Sequence, residues 1–360
     1  MAVYDHDSLR AARKLAAEME SNVRRLLRNS LLLAAAFGLL ASTALAQGDY
    51  PWKPDRPINI IVPWAAGGST DQVTRVMAAE IEDALGASVV VVNQPGASGS
   101  VGTTNALNAA KDGYTWAAGA VRDLGTYAVL DMLDTSVEDW HLYFGVSNTG
   151  VVAVNTNTPY QTFDDLLAAF EANPGQIPVA TAGLSSAGHT VIEAIAAATG
   201  ITYRHVPYDG GNPAVIATVA GEAEVVTQLA VEEAEMLRAG RLRALVAYSE
   251  QPLTLQGVGE IPAITDWLPD VRVPTNYFGI WAPKGIPEEV VQTMNMVWED
   301  VMENSEALRA YAEERGALFD PMYGDEALAA AIPSAAHQAY TLFDAGKAPI
   351  DPASLGYERP

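Results

Sequence analysis

Asn59-Ile60-Ile61-Val62-Pro63-Trp64-Ala65-Ala66-Gly67-Gly68-Ser69-Thr70-Asp71 is the stretch from which the fold can be read. Asn59 to Val62 is a short apolar run with the β-branched character of a buried strand. A turn of small residues follows. Beyond it Val73, Val76, Met77, Ile81, Ala84 and Leu85 recur at helical spacing, and Gly86 is placed to end the helix. Strand, Gly-rich turn and helix are the half-unit of a mainly parallel sheet with helices on both faces.

The pattern recurs along the chain. Ser88 to Val92 and Tyr114 to Ala118 read as strands, with a Gly-rich turn from Gly96 to Gly102 between them. Val151 to Val154 starts a second set. Thr162 caps a helix that Pro174-Gly175 ends. Ile177 to Thr181 is a strand that runs into the turn Ala182-Gly183-Leu184-Ser185-Ser186-Ala187-Gly188 and a helix from His189 to Thr199. Tyr203 to Val206 and Arg243 to Ala247 are further strands, with a helix entered at Pro213 between them. Tyr277 to Ala282 returns the chain to the first set. One helix is expected from Pro287 to about Arg315, and another from about Glu326, interrupted at Pro333. The fold class is α/β, with two doubly wound lobes and a ligand cleft between them. Lobe 1 takes residues 47–150 plus 271–360, and lobe 2 takes residues 151–270. Ligands in such sheets bind outside the carboxyl ends of the strands, so the Gly-rich turns of the two lobes should face each other across the cleft.

Composition narrows the function. Of 360 residues, 49% are hydrophobic and 18% charged, which supports a sizeable core. The 44 acidic and 21 basic residues give a charge of −23, which argues against nucleic acid and against anionic lipid. There is no cysteine, so disulfides, thiolate metal sites and cysteine nucleophiles are excluded. Arg24, Arg25 and Arg28 precede an apolar run from Leu31 to Leu40, and Ala44-Leu45-Ala46 follows before Gln47. This is the secretory pattern of basic region, apolar region and small-x-small cleavage site, so residues 1–46 read as a signal peptide. A signal beginning at Met19 would have ordinary length, which makes Met19 an alternative start. Cleavage leaves a mature chain of charge −25, since residues 1–46 hold six basic and four acidic side chains. A periplasmic location is expected.

The turns carry the chemistry. Gly67, Gly68, Ser69, Thr70 and Asp71 open a helix, where free N–H groups and hydroxyls favour an anion. Gly183, Ser185, Ser186 and His189 repeat the design in the second lobe. Each turn alone is compatible with ordinary capping; two in opposite lobes point to a ligand site. Asp71 is expected in the first helical turn, accepting backbone or water hydrogen bonds and organising the pocket. Enzyme motifs are missing: no G-x-S-x-G elbow, no P-loop, no G-x-G-x-x-G. The five histidines, 6, 141, 189, 205 and 337, lack metal-ligand spacing. His205 reads as a hydrogen-bonded core residue and His337 as a surface one. Neither a cofactor nor a metal is expected.

The stretches IIVPWAAGGSTDQVTRVMA (60 to 78), VVVVNQPGASGSVG (89 to 102), KDGYTW (111 to 116), AGLSSAGHT (182 to 190), HVPYDGGNPAV (205 to 215), RAGRLRALVAYSE (238 to 250) and YFGIWAPKGIPEEVV (277 to 291) fall in order over almost the whole mature chain. In them the chain resembles the extracytoplasmic receptors of tripartite tricarboxylate transporters, the Bug or TctC family. The resemblance implies a type II periplasmic-binding fold with Venus-flytrap closure. It also implies a small organic carboxylate as ligand, and a large and a small membrane subunit as partners of a monomeric receptor. It places the ligand carboxylate against Gly67, Gly68, Ser69, Thr70 and Asp71 and against Gly183, Ser186 and His189. Trp64 then lies over the pocket, and Tyr208 opens the next turn. Asp209 stands where the family often has Lys. Arg122 is open to two readings: a clamp on a second carboxylate, or a surface side chain paired with Asp123 or solvated. Two other functions stay open at this level: a sensor receptor for a membrane kinase, and a carboxylate-ester hydrolase, for which no convincing nucleophile is seen.

Overall fold

A computed structural model describes Met19 and residues 49–360. The expected signal peptide, Met19 apart, and its expected cleavage site lie outside the described residues. Tyr50 to Pro360 forms one compact unit containing two sheets.

The first sheet holds β1 (Ile58–Val62), β2 (Val89–Asn93), β3 (Thr115–Ala120), β4 (Trp140–Asn148), β12 (Tyr277–Pro283) and β13 (Ala317–Tyr323), in the order β13-β4-β12-β3-β1-β2. The second holds β5 (Gly150–Asn155), β6 (Pro178–Thr181), β7 (Arg204–Pro207), β8 (Val225–Leu229) and β9 (Leu242–Tyr248), in the order β7-β6-β8-β5-β9. A small hairpin joins β10 (Leu253–Leu255) and β11 (Gly259–Ile261). Both sheets are mixed rather than mainly parallel. β12 runs antiparallel between β3 and β4, and β5 antiparallel between β8 and β9. The two sheets thus share one plan. Three parallel strands stand in the order second, first, third, and a strand arriving from the other lobe inserts next to the third.

Among the described residues ten helices cover the sheets: α1 (Ser69–Leu85), α2 (Ser100–Leu107), α3 (Val121–Tyr127), α4 (Phe163–Ala172), α5 (Ala187–Thr199), α6 (Gly211–Ala220), α7 (Ala230–Arg238), α8 (Glu288–Asp300), α9 (Glu306–Arg315) and α10 (Gly324–Asp344). α1 buries Val73, Met77, Ile81 and Leu85 along one face, each contributing about 1.5–3 kcal/mol. Gly86, at φ 62°, closes it in the left-handed conformation. Thr162 and Asp165 form a reciprocal capping box on α4.

Two helix expectations are corrected. The stretch 287–315 is two helices, because Ser305 turns the chain and caps α9 by accepting from the Leu308 N–H. The second correction is that α10 runs unbroken through Pro333. Proline in a helix interior costs about 3 kcal/mol or more. Here Pro333 is exposed, while Ala327, Ala331 and Ala335 on the buried face pack with Val121 and Leu124 of α3. The buried face holds the helix together across the solvent-side defect. β4, β8, β13 and α3 are not visible in the sequence pattern. Among the described residues no helix is long and apolar enough to cross a membrane.

Candidate functional site

The turn after β1 is held from within. Gly67 takes φ 82°, and its N–H donates to Asp71 Oδ2 at 2.9 Å. Asp71 also accepts from Arg75 through two nitrogens, at 2.8 and 3.1 Å, and from Asn93 Nδ2 at 3.0 Å. Burial pushes the Asp71 carboxyl up, but the hydrogen bonds from Arg75, Gly67 and Asn93 and the Arg75 charge outweigh it and hold it below the ordinary range. Asp71 therefore braces the turn and does not face the cleft as an uncompensated anion. Asp71→Ala is expected to weaken ligand binding about tenfold by loosening this turn, although it removes a negative charge. Calorimetric titration of the variant checks this, and tighter binding of a carboxylate would contradict it.

Where the lobes meet, a cavity of about 30 Å³ lies between Trp64, Gly68, Ser69, Thr70, Asp123 and Phe278 on one side and Ser186, Ala187, Gly211, Gln228 and Glu232 on the other. The Trp64 Nε1–H donates to Asp123 Oδ2 at 3.1 Å. Burial raises the Asp123 carboxyl to about 7, against the pull of the Trp64 bond and of Arg122. Glu232 reaches across from α7. Its Oε1 accepts from the Ser69 N–H at the start of α1, at 2.9 Å, and its Oε2 from the Leu229 N–H at 3.3 Å. A carboxylate of the protein itself thus sits on the helix start that the sequence assigns to an anion.

The lobes also touch beside this cavity. Ala65 donates through its N–H to Asp209 O at 3.0 Å. The Leu184 N–H donates to Ser98 Oγ at 3.1 Å, and Ser185 Oγ donates to Ser98 O. Gly183, at φ 107°, has no room for a Cβ beside Ser98 Oγ.

The expected site residues divide accordingly. Trp64, Gly68, Ser69, Thr70 and Ser186 line the cavity. Gly67 faces Asn212, Gly183 faces Ser98, and Asp71 stands behind the turn. Two expectations are corrected. The His189 ring points into lobe 2: Nδ1 lies 2.9 Å from Leu184 O, Nε2 lies 3.2 Å from Glu193, and the ring stacks on His205 at 4.3 Å. It contributes its backbone N–H, which Ser186 Oγ accepts as the cap of α5. Tyr208 points outward, with its hydroxyl on Glu222. His205 is a hydrogen-bonded interior residue, with Nε2 2.6 Å from Thr181 Oγ1. Contrary to the sequence reading, His337 is largely withdrawn from the surface, and burial pushes its ring down to about 4.

Arg122 is neither solvated nor paired with Asp123. It is 2% exposed, and its Nη2 donates to Pro274 O at 2.5 Å. It borders a second cavity, of about 350 Å³, with Asn148, Tyr248 and Asn276. Asp123, Gln228, Glu232 and Phe278 are lining residues that sequence reasoning missed. Their elements, α3, β8, α7 and β12, are brought to the first turn only by the sheet order. Among the described residues no group of three His, Asp or Glu side chains is placed to hold a metal ion.

Two α/β lobes that meet at Gly-rich strand-to-helix turns have the architecture of periplasmic binding proteins, and solved structures share it. One described as a periplasmic transporter is 26% identical, with TM-score 0.74, covering 82% of this chain and 98% of its own. The periplasmic binding protein BugD, at 24% identity and TM-score 0.75, shares the fold over 82% of this chain and 99% of its own. MatC from Rhodopseudomonas palustris, solved with bound malate, shares it at 23% identity and TM-score 0.72, over 81% and 99%.

The chain belongs to the tripartite tricarboxylate transporter receptor family, whose model matches residues 73–330. It is 30% identical over 292 residues to Protein BugT of Bordetella pertussis (strain Tohama I), covering 79% of this chain and 89% of that one. It is also 30% identical over 276 residues to a UPF0065 protein from the tcbD-tcbE intergenic region of Pseudomonas sp. (strain P51), covering 74% and 80%.

Proposed function

We propose that this protein is a periplasmic receptor that captures a small organic carboxylate between its lobes and delivers it, unchanged, to the large and small membrane subunits of a tripartite transporter. Lobe 1 is then residues 47–150 plus 271–360, and lobe 2 is residues 151–270, closing on the ligand as a monomer. The observation that carries the reading is the convergence of two Ser-bearing helix starts, Ser69-Thr70 of α1 and Ser186 of α5, on one cavity between the lobes. Helix starts present N–H groups and partial positive charge to an anion. Relatives solved with adipate and with malate support the ligand class by analogy.

A thermal-shift screen against mono-, di- and tricarboxylates, aromatic ones included, tests the proposal. A ligand at 100 times its Kd is expected to stabilise the fold by about 2.7 kcal/mol and to be recovered intact by mass spectrometry. Failure of every carboxylate to stabilise the protein, or formation of product in proportion to time and protein, would overturn it.

A further inference from the structure

The cavity between the helix starts has a volume of about 30 Å³, room for one or two water molecules. Its best-placed backbone donor, the Ser69 N–H, is already bonded to Glu232. The neighbouring cavity is of a different kind. It has a volume of about 350 Å³, the scale of a small-molecule site, and it shares the walls Ala187 and Leu229 with the smaller one.

This larger chamber sits where the chain crosses between lobes. Asn148 ends β4 and Gly150 begins β5, while Pro274, Thr275 and Asn276 lead into β12. The two crossings are tied together, since the Asn148 N–H donates to Asn276 O at 2.9 Å. Three side chains at the chamber are more than nine-tenths buried: Arg122, Asn148 and Asn276, at 2%, 6% and 3% exposure. Their polar atoms are under-satisfied. Arg122 Nε has no hydrogen-bond partner among protein atoms, nor do Nδ2 and Oδ1 of Asn148, nor those of Asn276. Arg122 makes a bond to a neutral carbonyl, Pro274 O, but no ion pair with a carboxylate among the described residues. A buried guanidinium whose nearest carboxylate, Asp123, acts on it only through space, beside two amides without partners, is costly unless something pairs with it directly. The fork of N–H donors on Arg matches a carboxylate in geometry and charge.

We propose that the hinge chamber is the anion subsite of this receptor: Arg122 pairs with a carboxylate of the bound ligand while Asn148 and Asn276 hydrogen-bond its oxygens and the polar groups beside it. The proposal rests on the receptor reading above and adds where the ligand's charge is neutralised. Because Arg122 belongs to lobe 1 and the chamber wall includes Ala187 and Tyr248 of lobe 2, a ligand seated there contacts both lobes at their crossings.

The experiment uses the full protein with succinate, adipate and benzoate, together with methylphosphonate and methanesulfonate as non-carboxylate anions. Binding is read by calorimetry. In parallel, the Nε–H resonances of 15N-labelled arginine are followed during titration. One arginine resonance, absent from the Arg122→Met spectrum, is expected to shift on saturation. Arg122→Met is expected to lose about a hundredfold or more in carboxylate affinity. Asn276→Asp, which places a like charge in the chamber, is expected to lose as much. It gives an independent answer where Arg122→Met fails to fold. Wild-type and variant proteins binding a carboxylate equally well, with no Arg122 resonance shift, would overturn the hinge subsite and leave the receptor reading standing. Arg122-dependent binding of phosphonate or sulfonate alone would keep the subsite and overturn the carboxylate class. Absence of binding by all five probes would overturn the hinge subsite, and the receptor reading falls with it only if every carboxylate of the wider thermal-shift screen fails too.

Discussion

Gly188→Ala is expected to destabilise the protein by about 3 kcal/mol or more, even though alanine is the better helix former. Gly188 is the second residue of α5, and helix propensity alone would favour the substitution by up to about 1 kcal/mol. The tertiary contact reverses the sign. A Cβ at this position would fall on the carbonyl oxygen of Thr227, and it would lie 2.9 Å from Cδ of Gln228. Thr227 lies in β8, whose backbone is fixed between β6 and β5, so the carbonyl cannot move aside. Either α5 lifts from the sheet or the strand buckles. Both disturb Ser186 and Gln228, which line the cleft. At roughly 2–4 °C per kcal/mol, Tm is expected to fall by about 6–12 °C. A Tm unchanged or raised would show that α5 does not press on β8 as described.

The second large effect is acid lability centred on Glu193. This buried carboxylate lies 3.2 Å from His189 Nε2 and 3.3 Å from Lys347 Nζ, and it accepts from the Tyr203 hydroxyl at 2.5 Å. Burial would raise it, but the bonds from His189 and Tyr203 and the charges of His189 and Lys347 win and hold it at about 2, against an ordinary 4.5. Folding therefore strips a proton from this group between those values. Its stabilisation is fully present above pH 4.5 and is lost as pH falls towards about 2. Allowing for solvent screening on the side of the exposed Lys347, the shift corresponds to about 1–3 kcal/mol. Urea unfolding of wild type and Glu193→Gln is expected to differ by about that amount at pH 6, with the gap narrowing below pH 4.5 and closing only at about pH 2 and below. Parallel pH profiles for the two proteins would remove Glu193 as the source. Lys347 lies beyond the end of α10, so the same titration tests whether that segment is pinned to lobe 2 through Glu193.

The sequence by itself determined most of the scaffold. The strands at 59–62 and 277–282, the capped helix after Thr162 and the glycine stop at Gly86 all carry strong local signals: β-branched runs, a side chain able to accept from the next turn, and a residue free to take positive φ. The two Gly-Ser turns were legible for the same reason, because a strand-to-helix turn with free N–H groups is a local property. What the sequence hid was whatever depends on which strand lies beside which. β4 and β8 are central strands, fully or almost fully buried, yet they lack a turn signal that would set them apart from their surroundings. The sheets are mixed because a strand from each half crosses over, which no local pattern announces.

The candidate site divides along the same line. Position in the chain placed Ser69, Thr70 and Ser186 at helix starts, and the structure kept them at the cleft. It could not tell which way a side chain leaves a turn. His189 and Tyr208 turn away, because His189 finds Leu184 O and Glu193 in the interior and Tyr208 finds Glu222 at the rim. It could not foresee Glu232, which is 163 residues from Ser69 and meets it only when α7 swings over the start of α1. For Arg122 the sequence left a clamp and a surface ion pair open. Only tertiary packing decided that its guanidinium lies buried at the lobe crossings, near two asparagines whose side-chain amides have no hydrogen-bond partner among the described residues, since burial of a charge is a property of everything packed around it.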